Sequence, residues 1–172
     1  MGDAENIPYE GLFDAVLSFT ALQWVQNHEA FIKGAHKALK GSGVLAVTMP
    51  LGLPESLQQA VLEVTKKPEW SSFYSNFSTG WNFPEERTYG DLLSKNGFFV
   101  SRLAIVPQVD IFPTRQVFEK FISQWFPYLH PLPAPLKNQF LREVVDRYLD
   151  LSQFPKGEVH FKIRRLEVVA MK

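Results

Sequence analysis

Hydrophobic positions along the chain change rhythm several times, and each change marks a boundary between elements. From Phe13 to Phe19 the residues are mostly apolar, with Val16 and Leu17 at the centre and turn-forming residues ahead. A short run of this kind predicts a parallel strand buried on both faces. Asn27 then stands as the N-cap of a helix, with Glu29 in its first turn and Phe31, Ile32, Ala35 and Leu39 on its apolar face. Lys37 and Lys40 fall near the negative end of that helix's dipole, and Gly41 stops it. Val44 to Met49 is a second buried strand, closed by Pro50. Strand, helix, strand at this spacing is a βαβ unit with a right-handed crossover.

The rhythm returns to a helical period at Leu57, Ala60, Val61 and Val64, which predicts a helix from about Pro54 to Lys67. A loop rich in aromatics follows, from Trp70 through Phe73, Tyr74, Phe77 and Trp81 to Phe83. Thr88 to Asn96 reads as a short helix that Thr88 caps, with Asp91 three residues on and Gly97 at the end. Phe98 to Phe112 has the β-branched and aromatic content of a long strand. Pro107 interrupts it and donates no ladder hydrogen bond, so an edge or a bulge is expected there. Helical patterns at Thr114–Trp125 and Pro135–Leu151 flank a joint holding Pro127, Pro131, Pro133 and Pro135. Two amphipathic helices between strands predict a cap packed on the sheet. In the final strand, Glu158 to Met171, apolar residues fall at Val159, Phe161 and Ile163, then change phase to Leu166, Val168 and Ala170. That slip predicts a bulge near Arg164-Arg165.

Composition narrows the function classes. The 172 residues carry 18 Lys+Arg and 18 Asp+Glu, so no net charge draws nucleic acid or an anionic membrane. No cysteine is present, which removes disulfides, thiolate zinc sites and cysteine nucleophiles. No apolar run approaches the ~18 residues of a membrane span. The N-terminal residues lack a secretory pattern, so a cytoplasmic protein without membrane attachment is expected. Gly-x-Ser-x-Gly, the phosphate-binding loop, His-Glu-x-x-His and paired Cys motifs are all missing from the sequence. The four histidines, His28, His36, His130 and His160, have no ligand spacing apart from the eight-residue gap of the first pair, which is read as a solvated helix face, so no metal is expected.

Five stretches in order give a positive signal. Gly2-Asp3-Ala4-Glu5-Asn6-Ile7-Pro8 is followed by Phe13-Asp14-Ala15-Val16 and by Ser18-Phe19-Thr20-Ala21-Leu22-Gln23-Trp24. Leu39-Lys40-Gly41-Ser42-Gly43-Val44-Leu45 and then Asn96-Gly97-Phe98 complete the series. Together they resemble the class I S-adenosylmethionine-dependent methyltransferases. The likeness is greatest to the trans-aconitate and juvenile hormone acid methyltransferases, which esterify carboxylates of small molecules.

The resemblance implies an α/β fold. It would be the C-terminal part of a Rossmann-like methyltransferase sheet, with two parallel strands, an antiparallel terminal hairpin and a helical cap insertion. Residues 1–112 would form the partial core, 113–155 the cap and 156–172 the last strand. It also implies S-adenosylmethionine as cofactor. Asp3 would accept from the adenine amino group while the Ala4 N–H donates to the ring, and Phe19 and Thr20 would lie on the methionine-side turn. Phe19 stands where relatives often carry Asn. Trp24 would offer its indole N–H to a substrate carboxylate, and Gln23 would share that task or face the methionine end of the cofactor. The implied reaction is methyl transfer to a carboxylate of a small apolar acid.

The family's Gly-rich turn after its first strand and the acidic residue ending its second have no counterpart here, so an incomplete cofactor site in a partial chain is expected. The first strand of this chain would then be an open edge, available for pairing. Two other functions stay open: a non-catalytic half-domain that binds a partner through this edge, and a methyltransferase acting on another nucleophile.

Overall fold

The computed structural model describes residues 2–155 and 157–172. Position 156, the expected start of the last core segment, lies outside them, as does Met1. Four strands form one sheet in the order β1-β2-β4-β3. Strand β1 is Phe13–Phe19, β2 Leu39–Pro50, β3 Phe99–Phe112 and β4 Val159–Met171. β1 runs parallel to β2, and β2 antiparallel to β4. The α/β class and the parallel pair therefore stand as read, with β1 at the sheet edge. The other edge is β3, where Pro107 is exposed and leaves no buried ladder position without a donor.

The chain divides into two compact units. Unit 1 holds residues up to 52, 80–108 and 163–172; unit 2 holds 53–79 and 109–162. In unit 1, α1 (His28–Ala38) connects β1 to β2, and α4 (Glu86–Lys95) precedes β3. Phe31, Ile32 and Ala35 of α1 and Tyr89 and Leu93 of α4 pack with Leu45, Val47, Met49, Leu166, Val168 and Ala170. The helices thus cover one face of the sheet. The alternate residues Ala15, Leu17 and Phe19 of β1, in register with Val44, Ala46 and Thr48, lie on the opposite face. Leu17 is 59% exposed and Phe19 62%. The expectation of a strand buried on both faces is corrected, since burial of β1 is one-sided.

Unit 2 contains α2 (Glu55–Thr65), α3 (Pro68–Tyr74), α5 (Arg115–Ser123) and α6 (Ala134–Leu151). Leu57, Val61 and Val64 of α2 are buried, as are Phe118 and Ile122 of α5 and Phe140, Val144 and Tyr148 of α6. Polar closure accompanies this packing. Glu143 Oε2 accepts from Lys67 Nζ at 2.7 Å and from Trp70 Nε1 at 3.1 Å, and Tyr148 Oη donates to the His160 carbonyl at 2.7 Å. Among the described residues no helix is long and apolar enough to cross a membrane.

Several boundaries differ from the sequence reading. Helix α1 ends at Ala38 rather than Gly41, because Leu39 already adopts an extended backbone and begins β2. The register jumps from Phe13↔Leu39 to Ala15↔Val44, so the Gly41-Ser42-Gly43 stretch is absorbed as an irregularity of the strand, with Ser42 at φ 66°. Residues 68–74 are helical rather than loop, with Pro68 in the first turn where its missing N–H costs nothing. Thr88 does not cap α4. The cap is Glu85, and Thr88 Oγ1 donates back to the Glu85 carbonyl at 2.9 Å. Gly97 does end that helix, at φ 89°, and a Cβ added there would stand 2.9 Å from His36 Nε2. In β4 the buried side changes from Val159 and Phe161 to Leu166, Val168 and Ala170, and the pairing with β2 stops at Arg165, at the expected change of phase.

Candidate functional site

Four short segments of unit 1 meet at the C-terminal end of β1: the loop 3–8, residues 18–20, the turn 22–26 and the loop 80–84. Thr20 leaves the strand with φ 53°, a left-handed conformation that a β-branched residue adopts only under strain. Its amide donates to the Thr48 carbonyl at 2.8 Å, extending the ladder to the last possible residue before the chain turns away. Leu22–Trp24 then forms a single 3-10 turn that tucks Leu22 and Gln23 into the interior and leaves Trp24 outside. Backbone strain at the mouth of a parallel strand is a familiar mark of a binding site.

The predicted residues are divided by this turn. Trp24 is 41% exposed, and its ring leans on Trp81 at a centroid distance of 5.6 Å; Trp81 meets Phe83 at the same distance. Gln23, by contrast, is 6% exposed. Its Nε2 donates to the Thr20 carbonyl at 3.0 Å, which fixes the amide orientation, and Oε1 is buried with no hydrogen-bond partner among the described residues. Phe19 presents its ring to solvent at the end of the strand.

Asp3 and Ala4 sit in a tight turn ahead of β1. Asp3 Oδ1 accepts from the Glu5 amide at 2.9 Å, and the Asp3 carbonyl accepts from the Asn6 amide at 3.1 Å. The Asp3 side chain is exposed, and a carboxylate has acceptor capacity for about four hydrogen bonds, so it retains room for an exocyclic amine. Ala4 is half-buried against the core of unit 1.

Residues that the sequence reading passed over hold these segments together. Asn82 donates from its amide to the Gln23 carbonyl at 2.8 Å and from Nδ2 to the Gln26 carbonyl at 2.9 Å. Gln26 Nε2 returns a hydrogen bond to the Gly80 carbonyl at 2.7 Å. Glu5 Oε1 accepts from the amides of Gln26 and Asn27. Nothing local in the sequence hinted at these ties, because most of their acceptors and donors are backbone groups. Beside them opens a cavity of approximately 580 Å³ lined by Gln26, His28, Asn82, Thr88 and Tyr89, among others. The buried His28 ring places Nδ1 3.4 Å from Tyr89 Oη. Burial holds the imidazole below its ordinary pKa, with the Asn82 main chain and the Glu5 carboxylate opposing in part.

A Methyltransferase domain family matches residues 1–47. Trans-aconitate 2-methyltransferase of Acidovorax sp. (strain JS42) is 26% identical over 170 residues, covering 92% of this chain and 63% of that protein. Juvenile hormone acid O-methyltransferase of Drosophila melanogaster is 28% identical over 160 residues, covering 86% of this chain and 52% of that protein. This chain therefore spans between half and two thirds of the length of these relatives. Among solved structures, loganic acid methyltransferase with SAH superposes at a TM-score of 0.63 and 11% identity, covering 99% of this chain and 65% of that one. The [4+2]-cyclase SpnF superposes at 0.51 and 15% identity, covering 99% and 54%. These likenesses show the fold alone, and a cyclase among them shows that the fold does not dictate one chemistry. In sequence and in fold the chain is thus similar to class I S-adenosylmethionine-dependent methyltransferases, over part of their length.

Proposed function

We propose that this chain supplies the adenine-side and substrate-side walls of a methyltransferase site whose acceptor is a carboxylate of a small apolar acid. The observation that carries this reading is the strained turn at Thr20, which buries Gln23 and turns Trp24 outward at the mouth of β1. S-adenosylmethionine, when bound, supplies an electrophilic methyl group on a sulfonium. The exposed Asp3 carboxylate suits the adenine amine, with the Ala4 amide beside it. The unpartnered Gln23 Oε1 is an acceptor and suits an ammonium such as that of the methionine moiety. It does not suit a carboxylate, which has no proton to give. The Trp24 indole N–H is a donor and does suit one.

A carboxylate acceptor is already anionic, so no base is needed. An oxygen–methyl bond forms as the methyl–sulfur bond breaks, and no proton moves. The protein's part is to align the acceptor and exclude water, for which a hydrogen bond from Trp24 inside the aromatic surface of Trp81 and Phe83 is well suited. The acid methyltransferases among the relatives support the choice of nucleophile. Calorimetry with S-adenosylmethionine, then a methyl-transfer screen against small apolar acids, tests the reading. Trp24→Phe keeps an aromatic ring, though a smaller one, and removes the N–H; unchanged kcat/KM on acids in that variant would refute the role given to Trp24.

A second reading is favoured by the exposed alternate residues of β1: that Phe13, Leu17 and Phe19, on an open edge strand, pair with a partner chain. Cofactor binding by this chain alone would argue against a purely partner-binding role.

A further inference from the structure

Glu5 belongs to the turn before β1, yet its carboxylate acts 21 and 22 residues downstream. Oε1 accepts from the Gln26 amide at 2.8 Å and from the Asn27 amide at 3.0 Å. Both amides lead into α1, and the opening turn of a helix leaves N–H groups that no carbonyl of the same helix can reach. Asn27 satisfies another of them through Oδ1, which accepts from the Ala30 amide at 3.0 Å. An anionic acceptor here also faces the positive end of the helix dipole. A hydrogen bond of this kind is about twice as strong as one between neutral groups.

The same residue is tied upstream. Its amide donates to Asp3 Oδ1, closing the turn that carries Asp3 and Ala4. Downstream, Gln26 passes the connection to the Gly80 carbonyl beside Trp81. A continuous path of hydrogen bonds thus runs from Asp3 through Glu5 and Gln26 to Gly80. It skirts Trp24, two residues before Gln26. We propose that Glu5 is a positioning residue, which holds the turn bearing Trp24 in place on the Asp3-Ala4 loop. Its functional meaning rests on the methyltransferase reading above, but the link itself can be tested apart from it.

The test is residue-resolved amide hydrogen exchange on the full chain, with Glu5→Ala and Glu5→Gln beside the wild type and S-adenosylhomocysteine as the added probe. Without ligand, the Gln26 and Asn27 amides are expected to exchange about tenfold faster in Glu5→Ala, the effect of losing one charge-assisted hydrogen bond. Amides of Val47 and Val168 in the sheet are expected to keep their rates. Glu5→Gln retains an oxygen acceptor and is expected to restore most of the protection. Unchanged Gln26 and Asn27 rates in Glu5→Ala would overturn the proposal. So would a rise of equal size at Val47 and Val168 in both variants, which would make Glu5 a general stabiliser. With S-adenosylhomocysteine, exchange at Gln26 and Asn27 is expected to slow in the wild type and not in Glu5→Ala. Perturbation confined to Asp3 and Ala4 would count against the link. A probe that perturbs no amide would count against cofactor binding by this chain alone, and the ligand-free rates would still decide the role of Glu5.

Discussion

The indole of Trp24 leans against that of Trp81 with centroids 5.6 Å apart and planes inclined by 56°. Trp81 is carried by a loop that Asn82 and Gln26 fasten to the same turn as Trp24, so the two rings are held as one aromatic surface. An aromatic pair of this kind contributes about 0.5–1.5 kcal/mol beyond its burial. Trp81→Ala is therefore expected to raise KM for an apolar acid about fivefold, with kcat within about twofold of the wild type, in steady-state methyl-transfer kinetics. Trp81→Phe should fall between the two.

Thr20 pays for its place with strain. A left-handed backbone costs an L-residue about 1–2 kcal/mol, and a β-branched side chain makes it worse. Thr20→Gly is expected to raise unfolding stability by about 1 kcal/mol in denaturant titration. The freer backbone would loosen the turn that orients Trp24, so the same variant is expected to lose catalytic rate.

His28 makes stability depend on pH with a definite sign. Burial holds its imidazole below the ordinary pKa, so the unfolded chain takes up a proton more readily than the folded one. Its contribution is whole above the ordinary imidazole value, about pH 6.5, and is lost as the pH falls through the lower folded value. His36 is shifted the same way by burial and by Lys172, with the Gly97 main chain opposing. Denaturation midpoints measured from pH 7.5 to 5 should decline towards acid. His28→Gln should make that decline shallower without abolishing it.

In unit 2 the carboxylate of Glu143 receives Lys67, Trp70 and Gln139. Burial alone would raise its pKa, but these donors outweigh it and hold the group below the ordinary carboxylate range. Glu143→Ala would leave the indole N–H of the buried Trp70 without this acceptor and is expected to cost about 2 kcal/mol by chemical denaturation. Lys67→Met removes only an exposed ion-pair partner and should cost less than about 1 kcal/mol.

The uncovered face of β1 yields a prediction for association. Leu17→Lys with Phe19→Lys places charge where the sheet presents apolar surface. The double variant is expected to shift sedimentation of the chain towards the monomer and to reduce pairing through the edge.

The parts of the fold that were legible in sequence are those where one rhythm governs a whole element. Helices α2 and α6 bury residues at the spacing their sequences show, and β1 and β2 pair in parallel as their apolar runs suggest, although β1 is covered on one side only. Helix α3 escaped because its seven residues bury only Trp70, too few to display a period, although Pro68 marked its first turn. The end of α1 was misplaced because Gly41 reads as a stop signal, whereas the chain switched at Leu39 to meet Phe13. At the site, the outward Trp24 and the inward Gln23 stood side by side in sequence with nothing to separate their roles. The 3-10 turn divides them. Glu5 was invisible as a tie, because its partners lie 21 and 22 residues away and are backbone amides that any residue possesses.

Gly97 closes α4 with a left-handed backbone beneath the ring of His36, which also meets Phe98 edge-on at 5.1 Å. Asn can often replace glycine in that conformation, but here the imidazole already fills the space a first side-chain atom would take. Two separate demands therefore converge on one hydrogen atom. Among diverging copies of this sequence, residue 97 is expected to stay glycine wherever residue 36 is large and to drift only after residue 36 has shrunk. The pair should co-vary in that order, although the two positions are sixty-one residues apart and neither belongs to the candidate site.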